Sequence, residues 1–481
     1  MGIKKTIFDK TVFKNNLQKT WHVSATAMLI LYLTMILPIM LNVLSQPGDP
    51  QFDVEVLECL RDNFIMAKYV AMGMAALLAV ILFLYLQKSR SVSFYHSLPI
   101  SRDGLFVTNI VSALVIMYLP NIMISVVMFI QVKGMGYSAF SEIMVWLLVL
   151  CAEELFYFSL AILCMMLCGN EIISVVAYAI LIFAPEYIFT FLSSILTAVA
   201  YGYGSDEISI VLNKFSPEHR YDGILLKIWQ EPKGDSFTVH HEFVGLGSTL
   251  AVSLAITLVL FVVAFIVYKR RKSETAGDFI SAGWFKPIAA AGVAIILAMM
   301  TTSLLISGLV DESVTRYSDT VRVIIVISLA FVGFVGYLAV KLIAGKHQSA
   351  LGKSLISSLI FTVFMVILGF GILFLSDRIE KYTPDADDVK SVKFTLVIMD
   401  ANDNFDPEHI IIEEATDKEG IKEIIELNKK AASGKENWLL YGKSKGYENV
   451  LFSYTLKENV IVDNLTEQER YIYRIYQTAG N

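Results

Sequence analysis

Three acidic side chains stand inside otherwise apolar stretches of this 481-residue sequence: Glu153 and Glu154 in the run 143–168, and Glu186, beside Pro185, in the run 172–200. A carboxylate in such surroundings can exchange a proton or contact a solute on a translocation path. It can equally be a buried hydrogen-bonding group that nothing passes. Neighbouring helical positions point about 100° apart, so Glu153 and Glu154 cannot fully share a face, and at most one is expected to line a path. Other chemistry-bearing patterns fail on spacing. Asp400–Phe405 begins like a calcium loop, but Phe405 replaces the turn glycine and Ile411 the closing glutamate. His240, His241 and Glu242 lack the i, i+4 histidine spacing of a helical zinc protease. Gly352-Lys353-Ser354 and Gly442-Lys443-Ser444 end like a phosphate-binding loop, yet His347 and Asn437 stand where its first glycine is needed. No Ser/His, HExxH or paired-Asp arrangement stands out. The chain is therefore expected to bind no metal or cofactor and to catalyse nothing.

The elements that position these carboxylates are set by hydropathy. Hydrophobic residues make up 55% of the chain, charged residues only 17%, and the mean hydropathy is +0.60; soluble domains carry about 25% charged residues. A span needs about 20 consecutive apolar residues, and nine runs qualify: 23–44, 66–86, 106–130, 143–168, 172–200, 246–268, 288–309, 323–344 and 355–376. This excludes a soluble enzyme, a disulfide-framed secreted module, a disordered chain and a nucleic-acid binder. Cys151, Cys164 and Cys168 fall in apolar runs and Cys59 has no partner outside them, so no structural disulfide or CxxC metal site is expected. The first run is too long for a signal-peptide core and no small-residue cleavage site follows it, so it reads as a signal anchor. A charge at mid-bilayer costs roughly 3 kcal/mol on insertion scales, which is why Glu153, Glu154 and Glu186 are expected to face partner helices or a wet cavity.

Lysine and arginine set the orientation. With the N-terminus in the cytoplasm, 16 of them fall near inside span ends and 9 in outside loops, while acidic residues lean the other way, 5 to 16. N-in is the better topology. Nine spans then put the hydrophilic tail outside; it holds 21 acidic and 14 basic residues, but a long translocated domain carries no weight in the orientation rule.

Five parts follow along the chain. Residues 1–22 hold an amphipathic helix over 3–21, with Ile3, Ile7, Phe13, Leu17 and Trp21 about four apart and lysines between them. Six spans occupy 23–268, a basic linker 269–287, and three more spans 288–376. No internal repeat relates the two groups. Pro38, Pro120 and Pro185 mark bends within spans. The tail 377–481 reads as a small α+β domain. Its strands are Val392–Met399, His409–Ile412, Trp438–Tyr441, Asn449–Leu456 and Val460–Val462. One helix follows the capping box Thr416/Glu419, with Ile421, Ile424 and Ile425 on one face; a last one, to about Gln477, follows Thr466/Glu469. The fold class is thus an all-α polytopic membrane protein of about nine helices with a small α+β domain at its C-terminus.

One inside loop, 87–105, carries Phe94-Tyr95-His96-Ser97-Leu98-Pro99-Ile100-Ser101-Arg102. This is an aromatic and apolar stretch broken by a proline, which disfavours helix at the residue before it. Such an element could dock on a cytosolic partner or rest on lipid headgroups. The string SLPISR after the second span, and YKRRKSETAG (Tyr268–Gly277) after the sixth, resemble permease subunits of ABC transporters of the ABC-2 type. The resemblance is to a Gram-positive bacterial group with extra spans and an extracytoplasmic C-terminal domain; DKEGIKEIIELNKK echoes that domain.

The resemblance implies an elbow helix before the first span, a six-span core, and a coupling loop (His96, Ser97, Leu98, Pro99, Ile100, Ser101, Arg102) that seats on a separate cytosolic ATPase. It makes Lys269, Arg270, Arg271, Lys272 and Glu274 a cytoplasmic anchor. It also implies pairing with a second permease, as homodimer or heterodimer, contact with membrane lipid, ATP and Mg on the partner ATPase only, and export across a bacterial cell membrane. The alternative from another class is a membrane sensor or assembly factor whose extracytoplasmic tail binds a ligand.

Overall fold

The computed structural model describes residues 8–45, 52–97, 100–134, 139–203, 216–221, 224–233, 236–310, 317–344, 351–399, 405–433, 447–456 and 470–479. Among them, nine helices are long and apolar enough to cross a membrane: Lys10–Leu41, Met66–Leu86, Arg102–Gly134, Phe140–Leu167, Glu171–Val199, Leu246–Arg270, Gly283–Gly308, Asp319–Ile343 and Gly352–Lys381. Each overlaps one expected run, and all but the first begin within five residues of it. The chain is a mostly helical, multi-pass membrane protein. It forms two compact units, Met1–Ile182 with Glu218–Lys286, and Phe183–Pro217 with Pro287–Asn481. One boundary, Lys286/Pro287, falls at the end of the linker 269–287, where grouping by loop length put it; another falls inside the fifth span just ahead of Pro185, and Phe183–Pro217 goes with the later spans.

In the first unit, α1 (Lys10–Leu31) runs through a π-turn (Tyr32–Ile36) into α2 (Leu37–Ser45). The helix expected over 3–21 is therefore not a separate interfacial element where it is described. No glycine or proline interrupts Lys10–Leu37, so helix and span are continuous. Asp9 caps the start, its Oδ1 accepting from Thr11 N and Val12 N at 2.9 Å. The π-turn lies just ahead of Pro38, where the missing N–H would otherwise break the ladder. The other helices of this part are α3 (Phe52–Phe83), α4 (Ser89–Ser97), α5 (Arg102–Gly134), α6 (Phe140–Leu167), α7 (Glu171–Val199) and α8 (Leu246–Arg270).

The central element is α6, which packs on α3, α5 and α8 and buries Tyr157 and Phe158 completely. Between α1 and α5 the contact is polar. Asn16 Nδ2 donates to Asn109 Oδ1 at 2.9 Å and to Ser112 Oγ at 3.1 Å, and Asn109 Nδ2 donates to the Leu82 carbonyl at 3.1 Å. Helix association in lipid lacks a hydrophobic drive, so such bonds and close packing take its place. Residues 201–245, read as a loop, contain an antiparallel hairpin of β1 (Leu225–Lys233) and β2 (Ser236–Val244), in register from Leu225↔Val244 to Lys233↔Ser236. The intervening Gly234-Asp235 is a two-residue hairpin signal.

The second unit holds the remainder of α7 together with α9 (Lys286–Val310), α10 (Asp319–Ala344) and α11 (Leu351–Lys381). Ala290, Ala294 and Ala298 are fully buried, and Gly336 faces Ala294; small residues let these backbones approach. Tyr337 stacks on Phe361 at 4.6 Å. Arg322 pairs with Asp377 at 2.9 Å, and Glu380 Oε1 accepts from Tyr201 N at 3.0 Å.

The tail domain is a four-stranded antiparallel sheet in the order β4-β3-β5-β6, with β3 Val389–Met399, β4 Phe405–Ala415, β5 Tyr447–Leu456 and β6 Arg470–Ala479. Helix α12 (Lys418–Ser433) packs on β3, β4 and β6, burying Ile421, Ile424, Ile425 and Asn428. Its cap is Asp417, whose Oδ2 accepts from Gly420 N at 3.0 Å, not Thr416. The expected last helix is a strand. Tyr471–Tyr476 alternates aromatic and branched residues that favour a pleated surface, and β6 pairs with β5 along its whole length. The expected strands Trp438–Tyr441 and Val460–Val462, and the pair Thr466/Glu469, lie outside the described residues.

Candidate functional site at the linker end of the first unit

The two segments singled out in the sequence meet. Tyr268 Oη donates to the Arg102 carbonyl at 3.1 Å, across 166 positions of chain. Tyr85 Oη lies 3.2 Å from Tyr268 Oη; because the Tyr268 proton goes to Arg102, Tyr85 is the donor of that pair. The Tyr85 ring in turn packs on that of Tyr95 of α4, centroids 4.6 Å apart and planes tilted by 34°. Lys269 Nζ pairs with Asp103 Oδ2 at 3.1 Å and lies 4.4 Å from the Phe265 ring centroid.

Local chemistry explains the geometry. Pro99 disfavours helix at Leu98, and α5 restarts with Ser101 as its cap, Oγ accepting from Gly104 N at 2.9 Å. Asp103 lies in the first turn of α5, and Lys269 and Arg270 lie in the last turn of α8. Each charge thus complements its own helix dipole, and Lys269–Asp103 joins the two ends.

Arg271 departs from the helix into extended backbone (φ −66°, ψ 127°) and turns inward. Its Nη1 donates to the Met165 carbonyl at 2.6 Å, and its Nη2 to the Leu86 carbonyl at 2.9 Å and to Gln87 Oε1 at 3.1 Å. Gln87 Nε2 adds a bond to the same Met165 carbonyl at 2.9 Å. One guanidinium therefore satisfies carbonyls that the ends of two helices leave open and ties α3 and α6 to the residue after α8. Burial lowers its pKa to about 10, with the nearby Cys168 and Tyr85 pulling the other way; the group is charged at neutral pH. Burial pushes the Cys168 thiol up to about 11, against the lowering pull of Arg271.

Beyond Arg271 the chain is strapped across the α6–α7 turn. Gly277 N donates to the Gly169 carbonyl at 2.7 Å, Ser281 N to the Leu167 carbonyl at 2.9 Å, and Ser281 Oγ to the Met166 carbonyl at 2.9 Å. A Cβ on Gly169 would run into the carbonyls of Thr275 and Asp278, so only glycine fits. Asn170 opens α7, its Oδ1 accepting from Ile172 N at 2.9 Å. The basic linker is thus folded structure here rather than a loose tether.

Of the expected coupling residues, His96 and Ser97 end α4, Ile100 is half-buried, Ser101 caps α5 and Arg102 opens it on the surface. Leu98 and Pro99 lie outside the described residues. Of the expected anchor, Lys269, Arg270, Lys272 and Glu274 are exposed. Arg271 differs from them: it is half-buried and its side chain bonds the helix ends. Spacing could not separate it from its neighbours. Gln87, Gly169 and Tyr85 were missed altogether.

Deeper in the unit, Glu153 and Glu154 are both buried, at 0% and 1% exposure. Tyr157 Oη donates to Glu153 Oε1 at 3.3 Å, one turn along α6. Glu154 faces Asn121 of α5 and lies within electrostatic reach of Cys151 and Tyr118. The hairpin-side residue Tyr221 is buried within reach of Glu153 and Arg220. Glu218, also buried, accepts a hydrogen bond from Tyr69 Oη at 2.9 Å. Glu186 belongs to the second unit, half-buried, its carbonyl accepting from Thr190 Oγ1 at 3.0 Å. Comparison with protein-family models, with curated proteins and with solved structures returned no match.

Proposed function

We propose that this chain is the membrane-spanning permease subunit of an ATP-driven ABC transporter of the ABC-2 type, an exporter, worked by a separate cytosolic ATPase. The observation that carries the reading is the junction at the linker end of the first unit. The two segments that resemble that family are bonded to each other through Tyr268–Arg102 and Lys269–Asp103. A push on α4 then reaches the turn that follows α3 through Tyr95–Tyr85, and α8 through Tyr85–Tyr268, instead of being lost in a loose loop.

In this reading the N-terminus and the α4 end face the cytoplasm of a bacterial cell. The hairpin and the tail domain face outward, and two permease chains pair over two ATPases. ATP and Mg are bound by the partner. ATPase closure presses on α4 and His96–Arg102, and the bundles rock to open a path.

Affinity purification from native membrane in mild detergent, with mass spectrometry of what co-purifies, tests this. A stoichiometric ATPase is expected, lost on Leu98→Asp and Arg102→Glu while the melting temperature is kept. If the intact membrane protein brings down no ATPase in several detergents, the transporter reading falls, and ligand binding by the tail domain becomes the reading to pursue.

A further inference from the structure

Two cavities of the first unit lie side by side along α1, with Ile81 lining both. The first, about 650 Å³, lies between the start of α1 and the region joining α3 to α4, and Asn109 of α5 also lines it. Lys14, Lys19 and Lys88 edge it, with the amides of Asn15 and Gln18 and the ring of Tyr95. All three lysines are exposed, and none has an acidic partner among the described residues. The second cavity, about 520 Å³, shares Ile81 with the first and continues between α1 and α3. Its lining is mostly apolar, with Val23, Ala27, Ile30, Val70 and Leu77, and carries His22, Thr26 and Thr34 along α1. At Gly73, which also lines it, nothing lies within 4 Å of where a Cβ would stand, so the trough is open at that point.

Three ammonium groups with no acidic partner among the described residues, beside a largely hydrocarbon trough, match one kind of molecule, an amphiphile with an anionic head. We propose that the composite cavity holds an anionic phospholipid, its phosphate on Lys14, Lys19 and Lys88 and one acyl chain in the α1–α3 trough. Neither half suffices alone. A free phosphate leaves the trough empty, and a zwitterionic lipid brings its own cation toward the lysines. Basic pockets between membrane helices hold anionic headgroups by the same attraction. The inference needs only that the chain is embedded in lipid and does not depend on its being a transporter.

The full-length protein, purified in detergent and delipidated, is titrated with phosphatidylglycerol, phosphatidylcholine or inorganic phosphate. Bound lipid is read by native mass spectrometry and stabilisation by thermal melting. Phosphatidylglycerol is expected to be preferred over phosphatidylcholine by on the order of tenfold or more, and inorganic phosphate alone to give no stabilisation. Changing Lys14, Lys19 and Lys88 together to glutamine should bring the preference close to unity. Gly73→Phe fills open space on a helix, so the protein should fold and lose retention of both lipids. Equal retention of the two lipids by the unaltered protein, or retention unchanged by Gly73→Phe, would overturn the proposal. So would stabilisation by phosphate alone, or loss of preference in Arg270→Gln, which alters an exposed charge elsewhere.

Discussion

Replacing Arg271 by methionine removes the fork and keeps much of the side-chain volume. Three well-made bonds disappear, at 2.6, 2.9 and 3.1 Å. Hydrogen bonds from a charged donor contribute about 1.5–3 kcal/mol each, so the gross loss is about 4.5–9 kcal/mol. Two effects reduce it. Burying a guanidinium costs several kcal/mol, which methionine avoids, and the Met165 carbonyl keeps its bond from Gln87 Nε2. A net destabilisation of about 2–4 kcal/mol follows, and at roughly 2–4 °C per kcal/mol for a domain of this size the melting temperature should fall by roughly 4–16 °C. The assay is thermal unfolding in detergent with a fluorogenic thiol reagent, because Cys164 and Cys168 are free and buried. Arg271→Lys should fall in between, since an ammonium cannot reproduce the fork. Arg270→Met, one residue away and exposed, should move the midpoint by no more than about 2 °C, as surface changes do. Equal shifts for Arg270→Met and Arg271→Met would refute the argument.

Other perturbations test the same end of the unit and its interior. The Lys269–Asp103 pair is half exposed on both sides, so Lys269→Gln should cost only about 0–1 kcal/mol, and the difference should vanish in about 1 M salt. Gly169→Ala forces the linker away from the α6–α7 turn, and should cost about 1–3 kcal/mol, as overpacking does; hydrogen exchange at the Gly277 amide should speed up. Cys168 has a folded pKa of about 11 against an ordinary 9.0, so the folded state keeps its proton where the unfolded state has lost it. Its contribution to stability is full below pH 9 and is lost as pH rises from about 9 to about 11; alkylation of folded protein at Cys168 should be slow at pH 8 and accelerate over that window. Glu154→Gln keeps shape and an oxygen toward Asn121 and should leave the melting temperature nearly unchanged, whereas Glu154→Ala opens a cavity beside Asn121 and should lower stability by about 2–4 kcal/mol.

What could be read in the sequence was what depends on local periodicity and length. The nine spans were legible because a bilayer demands an unbroken apolar run, and a run of that length is visible without tertiary information. The hairpin had its signal in Gly234-Asp235, and β6 in the alternation Tyr471–Tyr476; there the Thr466/Glu469 spacing outweighed a stronger pattern. Arg271 was not legible. Lys269, Arg270, Arg271 and Lys272 are chemically one run, and only the end of α8 at Arg270 lets the next side chain swing under the bundle. The same holds for Gly169, whose need for glycine comes from a linker more than 100 positions away. The paired carboxylates were noticed for their cost, and the helical 100° argument allowed at most one of them on a path, with a buried hydrogen-bonding role as the other reading. Burial of both follows from the position of α6 at the centre of the unit, contacted from three sides.

The distribution of prolines now takes on a mechanical meaning. The helices whose ends meet at Arg271, α3, α6 and α8, contain no proline, and α6 packs directly on the other two. The helices of the first six spans that do carry one are α2 with Pro38, α5 with Pro120 and α7 with Pro185. A proline removes one ladder bond and bends its helix, and the π-turn ahead of Pro38 shows that accommodation in the backbone. Helices without a proline keep an unbroken ladder, and α3 and α6 are fastened at their ends by the guanidinium that follows α8. Helices with a weakened ladder can change angle at a defined point. The polar bonding of Asn16 to Asn109 and Ser112 ties α1, which runs on into α2, to α5, so the chain segments that carry Pro38 and Pro120 are linked as well. The sequence thus separates helices with an unbroken ladder from helices that carry a proline, and the Arg271 fork joins helices of the first kind.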